Sequence, residues 1–354
     1  MRRMLLAVLV IAAFATPALA ADYHAIIRRS VDEQGFNGVV VVGRGGKIVA
    51  LEAAGLADAE AARPMTADTR FELGSISKWI ASIVVLRLVD KGQLSLDAPI
   101  SIYLPDYRPD NGKVLTLRRL MSHSSGVPNQ VDAARKADPT VKGVELEQME
   151  AVRRYASGDL AFAPGSAWDY SHSNWILVKA IAERASGRTY VQLVRDEIVR
   201  PLGLKDSGIF RGDSARDVGA AHGYAALKPA PQPKPTPIPD YMAMAGGYYA
   251  TAPDLLKLMD GVLDGRLLKP ASRRALLTVL MPDQHYALGG RVKTPTIAGE
   301  AREAAWEDGS NGGFRVLARR VLADGHTVIV LSNASFDYYK LGDLGEALME
   351  ESYH

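Results

Sequence analysis

The sequence predicts an α/β fold of the α+β type: one antiparallel sheet built from both ends of the chain and flanked by helices, with an all-helical domain inserted between them. Three observations lead there. Strand-like segments joined by glycine turns cluster toward both termini, helix-like segments fill the middle, and no repeat period divides the chain. After a short helical lead at about 23–33, residues 38–42 and 48–51 read as a hairpin closed by Arg44-Gly45-Gly46-Lys47. Residues 302–307, 314–319 and 326–331 are strand-like, with Ala323-Asp324-Gly325 as the last turn, and 341–351 reads as a closing amphipathic helix. The helical insertion covers about 92–210, with helices near 146–155, 174–185 and 190–199 and with Gly187 and Pro201 where helix ends are expected. Six prolines between 228 and 239 exclude a central strand or helix interior, so that stretch is expected as a surface excursion or linker.

The chain has 354 residues, 47% hydrophobic and 23% charged, the composition of a globular protein with ample core. Residues 1–20 differ from the rest. Arg2 and Arg3 precede an apolar run at 4–14, and Pro17-Ala18-Leu19-Ala20 ends in a small-x-small pattern, which reads as a secretory signal peptide cleaved after Ala20. An uncleaved amino-terminal anchor is the alternative, but the run is short for a span, so no stable membrane span is expected after cleavage. The expected localisation is periplasmic or secreted. Loss of Arg2 and Arg3 leaves 40 basic against 40 acidic residues, a balance that argues against nucleic acid as a partner. With no cysteine there is no disulfide framework, thiol chemistry or lipidated cysteine, and stability must come from the core.

Chemistry enters at Ser75-Ile76-Ser77-Lys78. Ile76, Trp79, Ile80, Ile83, Val84 and Leu88 follow the spacing of one buried helical face, so Ser75 and Lys78 share a side of the first turn of a helix packed into a core. A lysine near that core is partly desolvated, which lowers its pKa and leaves a fraction neutral to take the serine proton. The helix amino end also favours negative charge developing beside Ser75. Alone the pattern is weak, because about one Ser-x-x-Lys is expected by chance in a chain of this composition. Tyr170, in Tyr170-Ser171-His172 just before a helix, serves as a proton shuttle if a nearby ammonium lowers its pKa, and otherwise reads as packing. The glycines of the 306–314 stretch, Trp306 to Phe314, permit close backbone approach, or simply make a hairpin turn.

Other catalytic templates fail. The chain has no Gly-x-Ser-x-Gly elbow, no His-Glu-x-x-His motif and no cysteine cluster, and its seven histidines are scattered, so no metal or other cofactor is indicated. His123, in Ser122-His123-Ser124-Ser125-Gly126, reads as a structural loop residue rather than a base.

Ordered blocks along the chain resemble the serine β-lactamase superfamily, in the branch of class C β-lactamases, D-alanyl-D-alanine carboxypeptidases and β-lactamase-like carboxylesterases. The blocks are Phe71-Glu72-Leu73-Gly74-Ser75-Ile76-Ser77-Lys78, Gly92 to Asp97, Thr116 to Gly126, Pro164-Gly165 with Tyr170-Ser171, Pro201-Leu202-Gly203-Leu204, Gly246-Gly247-Tyr248, and Gly309 to Phe314. The resemblance implies a β-lactamase/transpeptidase-like fold with the site between sheet and helical domain. It implies Ser75 as acyl-accepting nucleophile, Lys78 as its partner in proton transfer, and Tyr170 as second base and as acid for the leaving group. The backbone N–H groups of Ser75 and Ser310 would form the oxyanion hole, each donor worth about 3–4 kcal/mol in the transition state.

Two departures bear on substrate. The second motif carries His172 where the family usually has Asn, and the third reads Glu307-Asp308-Gly309 where a cation usually stands. These four residues, His172, Glu307, Asp308 and Gly309, are expected to face substrate. One like charge near 4 Å costs about 1 kcal/mol in water and about 4 kcal/mol at an effective dielectric of 20, so Glu307 and Asp308 are expected to disfavour carboxylate substrates unless Arg315 or His172 supplies a cation. The expectation is an exported serine hydrolase acting on a small-molecule or peptide acyl substrate, carboxylesterase-like on neutral or cationic compounds. D,D-carboxypeptidase or β-lactamase activity is the alternative within the same chemistry, and a catalytically idle binder of cell-wall fragments is the alternative outside it.

Overall fold

The computed structural model describes residues 22–214, 217 and 219–354, so the signal peptide expected at 1–20 lies outside the described residues. Among the described residues no helix is long and apolar enough to cross a membrane.

The elements that build the site are α1 (Tyr23–Gln34), β1 (Gly38–Arg44), β2 (Lys47–Ala54), α2 (Ile76–Asp90), α3 (Gln148–Tyr155), α4 (Ser173–Ser186), α5 (Ala252–Leu263), β3 (Arg291–Lys293), β4 (Ala304–Asn311), β5 (Phe314–Val321), β6 (Thr327–Ser332) and α6 (Tyr338–Glu351). Six strands form one sheet in the order β3-β4-β5-β6-β1-β2, with every neighbouring pair antiparallel. The two ends of the chain meet at β1 and β6, in register from Gly38 opposite Ser332 to Gly43 opposite Thr327.

Four consecutive valines explain why β1 is central. A strand that covers both faces of a sheet must be apolar at every position. Val39 and Val41 point into the core shared with α2 and α5, whereas Val40 and Val42 point into the layer of α1 and α6 with Ile27, Leu341, Leu344 and Leu348. β2 lies at the edge and alternates exposed with half-buried residues.

Three local expectations are corrected. The strand expected at 302–307 runs on as β4 to Asn311, so Glu307 to Ser310 belong to a strand, and the turn falls at Gly312-Gly313, where Gly312 has φ 50°. The helix of Ser75 is buried on all sides rather than on one face: twelve of the 15 residues of α2 are buried, because it lies between the sheet and the helical half of the molecule. Pro201 does not end its helix, which continues from Tyr190–Val194 through a wider turn at Arg195–Val199 to Arg200–Leu202 and stops at Gly203 with φ 59°.

From 92 to 210 the chain is helix and turn, closing with the short strand Ser207–Ile209. That strand joins Tyr248–Ala250 and Phe71–Glu72 in a three-stranded sheet just ahead of Ser75. The proline-rich stretch stays peripheral: Gln232–Pro233 forms an exposed ribbon with Tyr224–Ala226, where missing N–H groups are tolerated. Lys234 O accepts the Gly313 N–H at 3.1 Å, so the stretch packs on the β4–β5 turn.

Leu348 carries the seam between α6 and the sheet with no exposed surface. Leu348→Ala is expected to cost about 2–5 kcal/mol through lost transfer energy and the cavity left behind, read as a lower urea midpoint at unchanged m.

Candidate active site

The site grows from the Phe71–Glu72 strand. Leu73 N–H donates to Tyr248 O at 2.9 Å, Gly74 turns with φ 50°, and Ser75 stands as the residue before the first turn of α2. The start of the helix is pinned to the Gly246-Gly247-Tyr248 segment, since Tyr248 N–H donates to Ser77 Oγ at 3.0 Å. Lys78 has no exposed surface, and its Nζ donates to Ala245 O at 2.6 Å and to Ser75 Oγ at 3.1 Å. Burial holds its pKa below that of an ordinary lysine, opposed by attraction to Tyr170. The neutral amine thereby gains weight as a proton acceptor.

Tyr170 comes from the loop ahead of α4, 95 residues beyond Ser75, and its hydroxyl donates to Ser75 Oγ at 2.9 Å. Lys78 Nζ lies 5.1 Å from the centre of the same ring. Ser75 Oγ thus sits between an amine and a phenol, each within proton-transfer distance.

A cavity of about 320 Å³ opens in front of Ser75, lined among others by Trp168, Tyr286, Gly290, Arg291, Tyr338 and the third-motif residues Glu307 to Ser310. Gly74 lies against the Ser310 backbone so closely that a Cβ on it would come within 2.6 Å of the Ser310 nitrogen. That contact brings the peptides on either side of Ser75 and Ser310 to one wall of the cavity.

The charge expected of the third motif is corrected by the burial of Glu307. Its carboxyl is turned inward against Gly290, where a Cβ would lie 2.0 Å from Oε1, and burial pushes its pKa well above the ordinary carboxylate value. Burial weights that carboxyl toward its protonated form, against the pull of Arg291 and Arg319 nearby. Asp308 pairs with Arg319 at 2.6 Å. Gly309 has no room for a side chain, since a Cβ would meet Leu73 O at 2.0 Å.

The cation falls to neither residue named for it. Arg315 turns back to the carbonyls of Gly312 and Phe314. His172 caps α4 beside Asn129, outside the cavity lining, and burial pushes its pKa well below the ordinary histidine value, so it is neutral at neutral pH. Arg291 of β3 lines the cavity instead, its guanidinium 5.1 Å over the Tyr286 ring and in no salt bridge among the described residues. Arg291, Tyr286, Trp168 and Tyr338 were not legible as site residues. The Gly289-Gly290 pair before Arg291 was the one signal of close packing there.

Residues 24–344 match the family model described as Beta-lactamase. The chain belongs to the β-lactamase family. Its relatives in that family include esterase EstB of Burkholderia gladioli, 37% identical over 215 residues, which are 56% of this chain and 54% of that protein. The match therefore spans about half of EstB. The putative penicillin-binding protein PbpX of Bacillus subtilis is 27% identical over 334 residues, 93% of this chain and 78% of its own. Among solved structures, a penicillin-binding protein from Bacillus halodurans superimposes with a TM-score of 0.75 at 24% identity, covering 92% of this chain and 98% of that one. The hydrolase EstCE1 gives a TM-score of 0.76 at 22% identity, covering 94% and 98%. Both structures share the β-lactamase-like fold of this chain.

Two expectations follow from the geometry. In the folded chain Glu307 holds its proton to a higher pH than its ordinary 4.5, so the folded form loses stability as pH rises above that value toward the raised one. Glu307→Gln removes the titrating group, and its Tm advantage over wild type is expected to be larger at about pH 8 than at about pH 4. Gly309→Ala is expected to destabilise by about 1–3 kcal/mol through overpacking against Leu73 and to lower acylation of Ser75, read by thermal melt and by labelling with an active-site probe.

Proposed function

We propose that this chain is an exported serine hydrolase that forms an acyl-enzyme on Ser75 and hydrolyses ester or amide bonds, with carboxylesterase-like chemistry. The single observation that carries the reading is the hydrogen-bonded set on Ser75 Oγ, with Lys78 Nζ at 3.1 Å and Tyr170 Oη at 2.9 Å. In the proposed acylation, Lys78 as neutral amine takes the Ser75 proton while Oγ attacks the acyl carbon. The carbonyl oxygen becomes an oxyanion facing the N–H groups of Ser75 and Ser310, and Tyr170 passes a proton to the leaving oxygen or nitrogen. Deacylation runs the same transfers in reverse, with water in place of the departed leaving group: Tyr170 takes the water proton as its oxygen attacks the acyl carbon, and Lys78 returns its proton to Ser75 Oγ as the ester bond breaks. A retained, fully connected set of this kind argues against an idle binding protein.

The preference for neutral or cationic substrates rested on Glu307 and Asp308 as open negative charges, and the burial of the Glu307 carboxyl, which raises its pKa, together with the pairing of Asp308 with Arg319 weakens that premise. Arg291 on the cavity wall favours a second reading, in which carboxylate-bearing acyl compounds such as β-lactams or D,D-peptides are also accepted. The leader at 1–20 supports export.

Ser75→Ala is expected to abolish turnover of p-nitrophenyl acetate and the fluorophosphonate adduct seen by mass spectrometry; an adduct elsewhere with full turnover would sink the nucleophile assignment. Lys78→Arg, a permanent cation, is expected to lower kcat by about 10²–10⁴-fold. In the wild type, kcat/KM is expected to rise with pH and level off below the ordinary lysine value of 10.5, because the lowered pKa frees the amine earlier. Nitrocefin and a D,D-peptide set against p-nitrophenyl acetate decide the second reading. Arg291→Ala is expected to raise KM for the carboxylate substrates by about fivefold or more and to leave the neutral ester within about twofold.

A further inference from the structure

His123 has no exposed surface, makes no hydrogen bond to Ser75 among the described residues, and holds a left-handed backbone with φ 59°. A histidine tolerates that conformation at some cost, and here the turn directs both its carbonyl and its ring at one segment. The His123 carbonyl accepts the N–H of Asp169 at 3.0 Å. Its Nδ1 accepts the N–H of Ser171 at 3.0 Å. Between these two anchors its imidazole lies face to face with Tyr170, ring centres 4.3 Å apart and 27° from parallel. Three consecutive residues are therefore held by one, through backbone, ring nitrogen and ring face.

The tautomer follows from the donors. Both ring nitrogens face donors, Nδ1 the Ser171 N–H at 3.0 Å and the Asn174 side-chain amide at 3.2 Å, Nε2 the Trp175 indole N–H at 3.4 Å; the two shorter contacts assign the lone pair to Nδ1 and the proton to Nε2, at the expense of the long Trp175 contact. Tyr286 at 5.1 Å, Trp175 at 6.1 Å and Trp168 at 6.2 Å close round the ring edge-on, and His123 has no exposed surface. Burial, with Lys78, His172 and Arg291 nearby, holds the imidazole neutral.

We propose that His123 is the positioning residue of Tyr170: it clamps residues 169–171 so that the phenol oxygen is held at 2.9 Å from Ser75 Oγ. The proposal rests on the reading of Tyr170 as the proton carrier of the site. A phenol oxygen displaced by about 1 Å loses much of its effect on the reacting atoms, so the clamp acts on kcat rather than on binding.

The test is a double-mutant cycle on the full chain with p-nitrophenyl acetate. His123→Phe keeps a ring against Tyr170 and loses the Nδ1 acceptor, whereas His123→Asn keeps a short acceptor and suits the left-handed backbone. His123→Phe is expected to lower kcat about tenfold or more with KM within about twofold, and His123→Asn to recover part of that loss. In a Tyr170→Phe background the same His123 changes are expected to cost less than about twofold, because they act through Tyr170. Equal losses in both backgrounds would overturn the clamp while leaving the role of Tyr170 standing. Full activity of Tyr170→Phe alone would overturn the role of Tyr170 and the clamp with it. Should His123→Phe not fold, the cycle with His123→Asn and the imidazole nitrogen shifts of the wild type decide: a neutral ring protonated at Nε2 supports the clamp, and a proton at Nδ1 overturns it.

Discussion

A lysine side chain without exposed surface is the constraint on which this structure turns. Burying an ammonium costs several kcal/mol unless it is hydrogen-bonded or loses its proton. Lys78 does the first through Ala245 O and is eased toward the second by its surroundings. Ala245 precedes the Gly246-Gly247-Tyr248 segment, which also binds Ser77 and pairs with the strand leading into Ser75. The residues that hold the amine therefore also fix the serine beside it. The encasement of α2 by sheet and helices, which leaves twelve of its residues buried, keeps water from solvating the charge.

Charge in the cavity is arranged by pairing as much as by residue type. Two consecutive acids on β4 read as a negative wall, yet alternation along a strand sends Glu307 inward and leaves Asp308 beside Arg319. The cation that remains on the wall, Arg291, comes from a neighbouring strand with no motif of its own. The charge on the cavity wall is accordingly set by three strands acting together.

Much of the fold was legible because its signals are local. The valines of β1, the turn at 323–325 and the left-handed Gly187 ending α4 each follow from a few neighbouring residues. Boundaries set by partners were not. β4 runs to Asn311 because β5 offers it a full ladder, and α2 is buried all round because of what packs on it, neither of which its own periodicity encodes. At the site, the spacing of Ser75 and Lys78 placed both on one turn, but Tyr170 lies 95 residues away and was joined to them only through family resemblance.

The sequence by itself determined the chemistry available: a serine and a lysine one turn apart, a tyrosine ahead of a helix, glycines where backbones must approach, and no cysteine. Tertiary structure decided how that chemistry is tuned. It removed Lys78, His123 and Glu307 from water, half-buried His172 and left Arg291 facing the cavity, and protonation depends on that solvation. A side chain's identity is written at one position, whereas its burial is the joint product of every element packed around it.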